Sequence, residues 1–154
     1  MKGFFTSRNL TLTFLALVGI VVLIERLIVT DKEAIEKSID VICDAAAKGD
    51  TTTLHQFISP KYKFSGLDAA GFTEYVDATL KAIHLEKASI MKLDISVNQL
   101  YATVNLRTMI HVKADSDASK GLGFEGAAMI RLRLSMEKTE SGWQVLECEN
   151  QGPG

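Results

Sequence analysis

The chain is poor in residues that announce chemistry. Its 154 residues hold only two cysteines and three histidines. Cys43 and Cys148 fit no metal-ligand spacing, and His55, His84 and His111 stand outside any H-x-x-x-H or H-x-H pattern. No cofactor or metal is therefore expected. An excess of one charge is also missing: 17 Lys and Arg stand against 19 Asp and Glu, a net charge of −2. Binding through phosphate backbones wants a basic surface, so nucleic acid is not an expected partner. Cations and anions are interspersed along the chain, the pattern of a solvated surface. Internal repeats are absent.

One further absence says where the protein sits. Between Asn9 and Ile24 there is no charged side chain. Residues 10–24 alone make about 22 Å of helix, short of a ~30 Å hydrocarbon core. Residues 10–29 reach across it, with Glu25 and Arg26 snorkelling to the headgroups at the end. Lys2 and Arg8 precede the run, and Asp31, Glu33, Glu36 and Asp40 come after it among fewer lysines. The charge bias keeps the N-terminus cytoplasmic and exports the remainder of the chain. A cleaved signal is the rival reading, but bulky Ile24–Val29 replaces the small residues that cleavage wants. The expected organisation is a cytoplasmic stretch over 1–9, a single-pass signal-anchor helix over 10–29, one domain over 30–150 and a disordered tail over 151–154. About 120 residues suffice for one domain with a core of its own.

Past the anchor, Thr30-Asp31-Lys32-Glu33 reads as a capping box. Ile35, Ile39, Ile42 and Ala46 then form a helical stripe, and Gly49 stops it. Asp50 caps a short helix carrying Leu54, Phe57 and Ile58, ended by Pro60. Residues 61–66 read as a connector. A third helix, about 68–85, places Phe72, Val76, Thr79, Leu80 and Ile83 on one face. Beyond Glu86 the period falls to two. Met91, Leu93, Ile95 and Val97 share one face of a strand. Leu100, Ala102, Val104, Leu106, Ile110 and Val112 share that of the next, with a bulge or bend expected at Thr108-Met109. Phe124, Ala128, Ile130, Leu132, Leu134 and Met136 line a third strand, and Trp143 opens a fourth after the turn at Glu140-Ser141-Gly142. Strands with one apolar face need helices on that face, which predicts an α+β domain: three helices packed on a curved four-stranded antiparallel sheet.

This order, with "AAAKGD" closing the first helix, "LHQFISP" around the second and "SGWQVLECE" in the last strand, resembles the nuclear transport factor two-like superfamily, also described as cystatin-like or SnoaL-like. The resemblance spans about residues 31–150. It implies a cone-shaped fold with a pocket at the mouth. The superfamily includes isomerases, cyclases and dehydratases beside non-catalytic binding and assembly domains, so the fold alone does not assign a function. Its catalytic members carry Asp, His or Tyr on the pocket side. Here the inward strand positions are apolar, while Arg107, His111, Glu125, Arg131, Arg133 and Glu137 fall in the outward phase. No catalytic residue is carried over.

The candidate pocket residues are Tyr62, Tyr75, Asp77, His84 and Tyr101, with His55 a further candidate at the rim. Cys43 and Cys148 are either a disulfide in an oxidising compartment or two small buried hydrophobes. Gly121, Gly123 and Gly126 match G-x-G-x-x-G but lack a strand before and a helix after, so they read as a loop. Asp115 and Asp117 start a calcium-loop pattern that fails at Lys120 and Gly126. The expected function is a non-enzymatic, membrane-anchored binding or assembly domain. Its expected partners are the bilayer, through residues 10–29, and another protein or a second copy of itself. The alternative is a small-molecule-binding or proton-transfer enzyme that uses the pocket.

Overall fold

The computed structural model describes residues 30–113 and 126–153. The stripe of Ile35, Ile39, Ile42 and Ala46 lies on helix α1, Asp31–Lys48. Ile35 and Ile39 are wholly buried, at 0% exposure. The helix ends at Gly49, whose φ of +67° suits glycine. Gly49 N donates to Ala46 O at 3.1 Å and Asp50 N to Ala45 O at 2.9 Å, the two closing bonds of a Schellman end. Asp50 then caps α2, Thr51–His55, accepting from Thr53 N at 3.1 Å and Thr53 Oγ1 at 2.6 Å. The expected connector contains a small hairpin, β1 Lys63–Phe64 and β2 Leu67–Asp68. Asp68 caps α3, Ala69–Ile83, through Gly71 N at 2.8 Å. His84 ends that helix in the left-handed region.

Four antiparallel strands follow in sequence order: β3 Leu85–Asn98, β4 Tyr101–Val112, β5 Ala127–Thr139 and β6 Gly142–Pro153. The domain is therefore α+β, with its helices before its sheet. Along β4 every second residue from Ala102 to Val112 is buried, Thr108 included. Its pairing with β5 is unbroken from Tyr101 to His111, so there is no bulge at Thr108-Met109. The irregularity is on the partner strand. Ile90 pairs with Thr108 and Lys92 with Arg107, leaving Met91 extra. An extra residue resets the two-residue phase. Met91, expected on the apolar face, is 58% exposed, while Leu93 and Ile95 beyond it turn in. A second irregularity lies in β6 between Asn150 and Pro153. Residues 151–153, read from sequence as tail, continue this strand, and Pro153 pairs with Ile130.

The core joins Ile35 and Ile39 of α1 to Val104, Leu134, Met136, Trp143 and Val145 of the sheet and to Tyr62. After α2 the chain runs beside β6: Ser59 N donates to Val145 O at 2.9 Å and Val145 N to Phe57 O at 2.6 Å. This seats Ser59 against Glu137. The carboxylate, expected to face outward into solvent, is buried. Ser59 Oγ donates to its Oε1 at 2.6 Å and Lys61 Nζ to its Oε2 at 2.9 Å. Buried charges persist when paired and hydrogen-bonded in this way. Trp143 is buried, as a lid should be, but its indole Nε1 finds no partner among the described residues.

The anchor expected over 10–29 lies outside the described residues, as do the Gly121-Gly123 loop and the Asp115-Asp117 stretch. Among the described residues no helix is long and apolar enough to cross a membrane.

Candidate functional site: an apolar cavity

Between the helices and the sheet lies a cavity of about 270 Å³. Helix α1 contributes Ile42, Cys43 and Ala46, and α3 contributes Phe72, Val76, Leu80 and Ile83. The strands contribute Leu85 and Ala88, then Leu106, Thr108 and Ile110, then Ile130 and Leu132, and finally Cys148. Each wall follows from periodicity. The four α3 residues recur at steps of four, four and three, and the β4 residues at steps of two, so each element turns one apolar face to the cavity.

The polar inventory of the lining is short. Thr108 brings a hydroxyl that donates to Ser89 O at 3.0 Å. Cys43 and Cys148 bring thiols. Both cysteines are free, and both pack as partly buried side chains against the core. Burial pushes each thiol up to about 11, helped at Cys43 by the neighbouring charge of Asp40. Neither thiol is a ready nucleophile, because the thiolate is the reactive form. No Asp, Glu, His, Lys, Arg or Tyr side chain lines this cavity among the described residues. It can enclose an apolar body, but its walls offer no general acid or base near neutral pH.

The five residues expected at a pocket are distributed elsewhere. Tyr62 is buried and stacks on Phe72, centroids 4.1 Å apart, with burial pushing its phenol up to about 12. Tyr62 thus backs the cavity wall without reaching the cavity. Tyr75 continues the aromatic row at 6.4 Å from Phe72 but is 58% exposed. His84 is exposed at the end of α3, and Tyr101 is exposed at the start of β4, paired with Glu137. Asp77 is half-buried on α3, where its Oδ1 meets His55 Nε2 at 2.8 Å. Leu54 and Val76, the immediate neighbours of this pair, line the cavity. The chain thus joins two separately suspected residues into a dyad on the outside of the wall. Sequence reasoning does not single out Thr108 or the cysteines as lining residues. The signal for Thr108 is its even place in the β4 alternation. Among the described residues, no group of three or more His, Cys, Asp or Glu could hold a metal.

The architecture has many counterparts among solved structures. A nuclear transport factor 2-like superfamily protein from Salmonella enterica superposes with a TM-score of 0.65 at 18% identity, covering 80% of this chain and 92% of that one. A candidate dehydratase of the same family from Streptomyces avermitilis gives 0.63 at 15% identity, over 80% and 96%. A protein with a cystatin-like fold from Novosphingobium aromaticivorans gives 0.61 at 18% identity, over 96% and 90%. No protein-family model matches the sequence, and no curated protein does. At these identities the likeness establishes the fold alone: the domain has the cystatin-like α+β fold that these structures share.

Proposed function

We propose that the chain is a non-enzymatic binding domain whose cavity takes an apolar ligand, held at the exported face of a membrane by residues 10–29. The observation that carries this reading is a hollow interior with aliphatic walls. Apolar walls around an unfilled space lack packing partners on that side, and an apolar occupant supplies them. The space and its lining suit a medium alkyl chain or a small ring system. The dehydratase description of the Streptomyces neighbour does not transfer readily, because dehydration needs a base at the substrate and this lining has none.

The anchor rests on the uncharged run and the charge bias around it. It would hold the domain where apolar ligands partition. A protein partner or a second copy of the chain completes the assembly reading. The test is thermal unfolding of the full-length chain in neutral micelles with decane and decanol added. Saturable stabilisation by several degrees is expected. No saturable shift up to the solubility limit of either probe would overturn the reading. Alkaline extraction of native membranes tests the anchor, which keeps the chain in the pellet; release to the supernatant removes it.

The His55–Asp77 pair at 2.8 Å supports a second reading, proton transfer at the cavity rim. That reading requires His55→Gln to abolish turnover of some bound substrate while leaving decanol stabilisation intact.

A further inference from the structure

The face of the sheet turned away from the core carries a cationic row. Lys92 of β3 pairs with Arg107 of β4, and Arg107 with Arg131 of β5. Neighbouring strands lie about 4.8 Å apart, so three positive heads are held side by side. Like charges directly opposite each other destabilise a sheet. Little here offsets that. Asp94 Oδ2 meets Lys92 Nζ at 3.0 Å, but Arg107 and Arg131 have no ion-pair partner among the described residues. Arg131 Nε is buried and makes no hydrogen bond there. A buried donor without an acceptor needs an explanation.

The row lies in a concavity of about 220 Å³, lined also by Asn105 and Gln151. Two strand irregularities shape it. Regular pairing beyond Ile90 would set Met91 against Arg107; the extra residue at Met91 sets Lys92 there instead. The irregularity in β6 falls between Asn150 and Pro153 and includes Gln151. Bulges re-aim side chains in this way at sites of function.

We propose that this groove is a binding site for a phosphate monoester. Three cations and one carboxylate leave two positive charges in the lining, the complement of a dianion. A phosphate monoester carries about −1.5 to −2 at neutral pH. Guanidinium forks bind phosphate oxygens in pairs, and the amides of Asn105 and Gln151 supply further donors. The orphaned Arg131 Nε gains an acceptor, and the repulsion along the row is relieved. The groove and the apolar cavity share Leu106 and Leu132 in their linings, while the cations that define the groove line only it.

The monoester can come as a soluble metabolite or as a lipid headgroup, and titration of the full-length chain in neutral micelles separates the two. One arm adds glycerol 3-phosphate; the other dopes the micelles with phosphatidate. Saturable binding in either arm, weakened tenfold or more by Arg107→Gln and by Arg131→Gln and weakened by salt, supports the site. The arm that saturates names the source. Without phosphate, each variant should melt no lower than the native chain, since it loses a like-charge neighbour. Absence of saturation below about 10 mM in both arms overturns the proposal. So does binding that both variants retain, or a lower melting temperature of both variants without phosphate.

Discussion

Helices α1 and α3 each carry an apolar stripe repeating at steps of three and four, and each turns that stripe toward the sheet. On the first turns of α1 the stripe meets packed side chains, and Ile35 and Ile39 are wholly buried in the cluster of Val104, Met136 and Trp143, while Ile42 and Ala46 further along it reach the cavity. On α3 no residue is fully buried, and Phe72, Val76, Leu80 and Ile83 face the cavity instead. An amphipathic pattern states which face turns inward. It does not state whether anything fills the space beyond. The packed end should therefore supply most of the stability, and the hollow end the ligand.

The sharpest way to break this comparison is to truncate one residue at each end. Ile35→Ala removes a wholly buried side chain from close neighbours and should cost about 3–4 kcal/mol. Leu80→Ala enlarges a space that already exists and should cost about 2 kcal/mol, the transfer term for three carbons with little new void. Urea denaturation of the two variants reads both values. Equal losses would mean that the cavity wall is as tightly supported as the core, and the division into two ends would fail.

The packed end also holds the buried carboxylate, where a smaller effect is expected. Ser59→Ala removes a hydrogen bond to a charged group and should cost about 2 kcal/mol at neutral pH. The Lys61 ammonium and the Ser59 hydroxyl hold Glu137 below its usual range in the folded chain. A carboxyl with a lowered folded value stabilises the fold above its unfolded pKa, about 4.3. That contribution is lost as the pH falls through the folded value. Melting temperatures measured from neutral pH downward should therefore drop on the acid side. Ser59→Ala should make the drop shallower. An acid limb unchanged in the variant would show that other carboxylates govern it.

This contrast also marks what is legible in the sequence. Helix positions, the cap at Asp50, the stop at Gly49 and the alternation of β4 are all readable, because each is a local preference of a few residues. Three features are not, and each depends on a partner distant in sequence. Met91 follows the alternation, and only its pairing against β4 shows that it is extra. Glu137 is polar and in the outward phase, and only the path of the chain after α2 brings Ser59 and Lys61 over it. His55 and Asp77 stand 22 positions apart and meet through helix packing. A pocket is implied by the fold and its apolar strand face is readable, but the tyrosines, Asp77 and His84 named as pocket candidates do not line it. The apolar positions that build a core are the same ones that wall a void, so the pattern does not separate the two.

At the hollow end, filling should do the opposite of truncation. Ala88 lines the cavity from β3. Ala88→Leu adds three carbons to apolar surroundings with room for them and should raise stability by about 1–2 kcal/mol. It should also abolish stabilisation by decane and decanol, having taken their space. A destabilised variant would show the wall to be tightly packed, as overfilled cores are, and the hollow end would have to be reconsidered.

The finest test concerns the hydroxyl in the lining. Thr108 Oγ1 already donates to Ser89 O at 3.0 Å, so its proton is engaged within the wall. Valine has nearly the same shape without that bond, and Thr108→Val should cost about 1 kcal/mol or less. If the cavity recognises only apolar bulk, decane affinity holds or rises and decanol affinity changes little. If the hydroxyl oxygen instead accepts from a ligand's polar end, decanol affinity falls about tenfold while decane is unaffected, since ~1.4 kcal/mol is a factor of ten. The two probes differ by one hydroxyl, so their ratio isolates that contact from any general loosening of the wall. A falling decanol-to-decane ratio would make Thr108 a reader of ligand polarity. A constant ratio leaves a container that selects by shape and hydrophobicity alone.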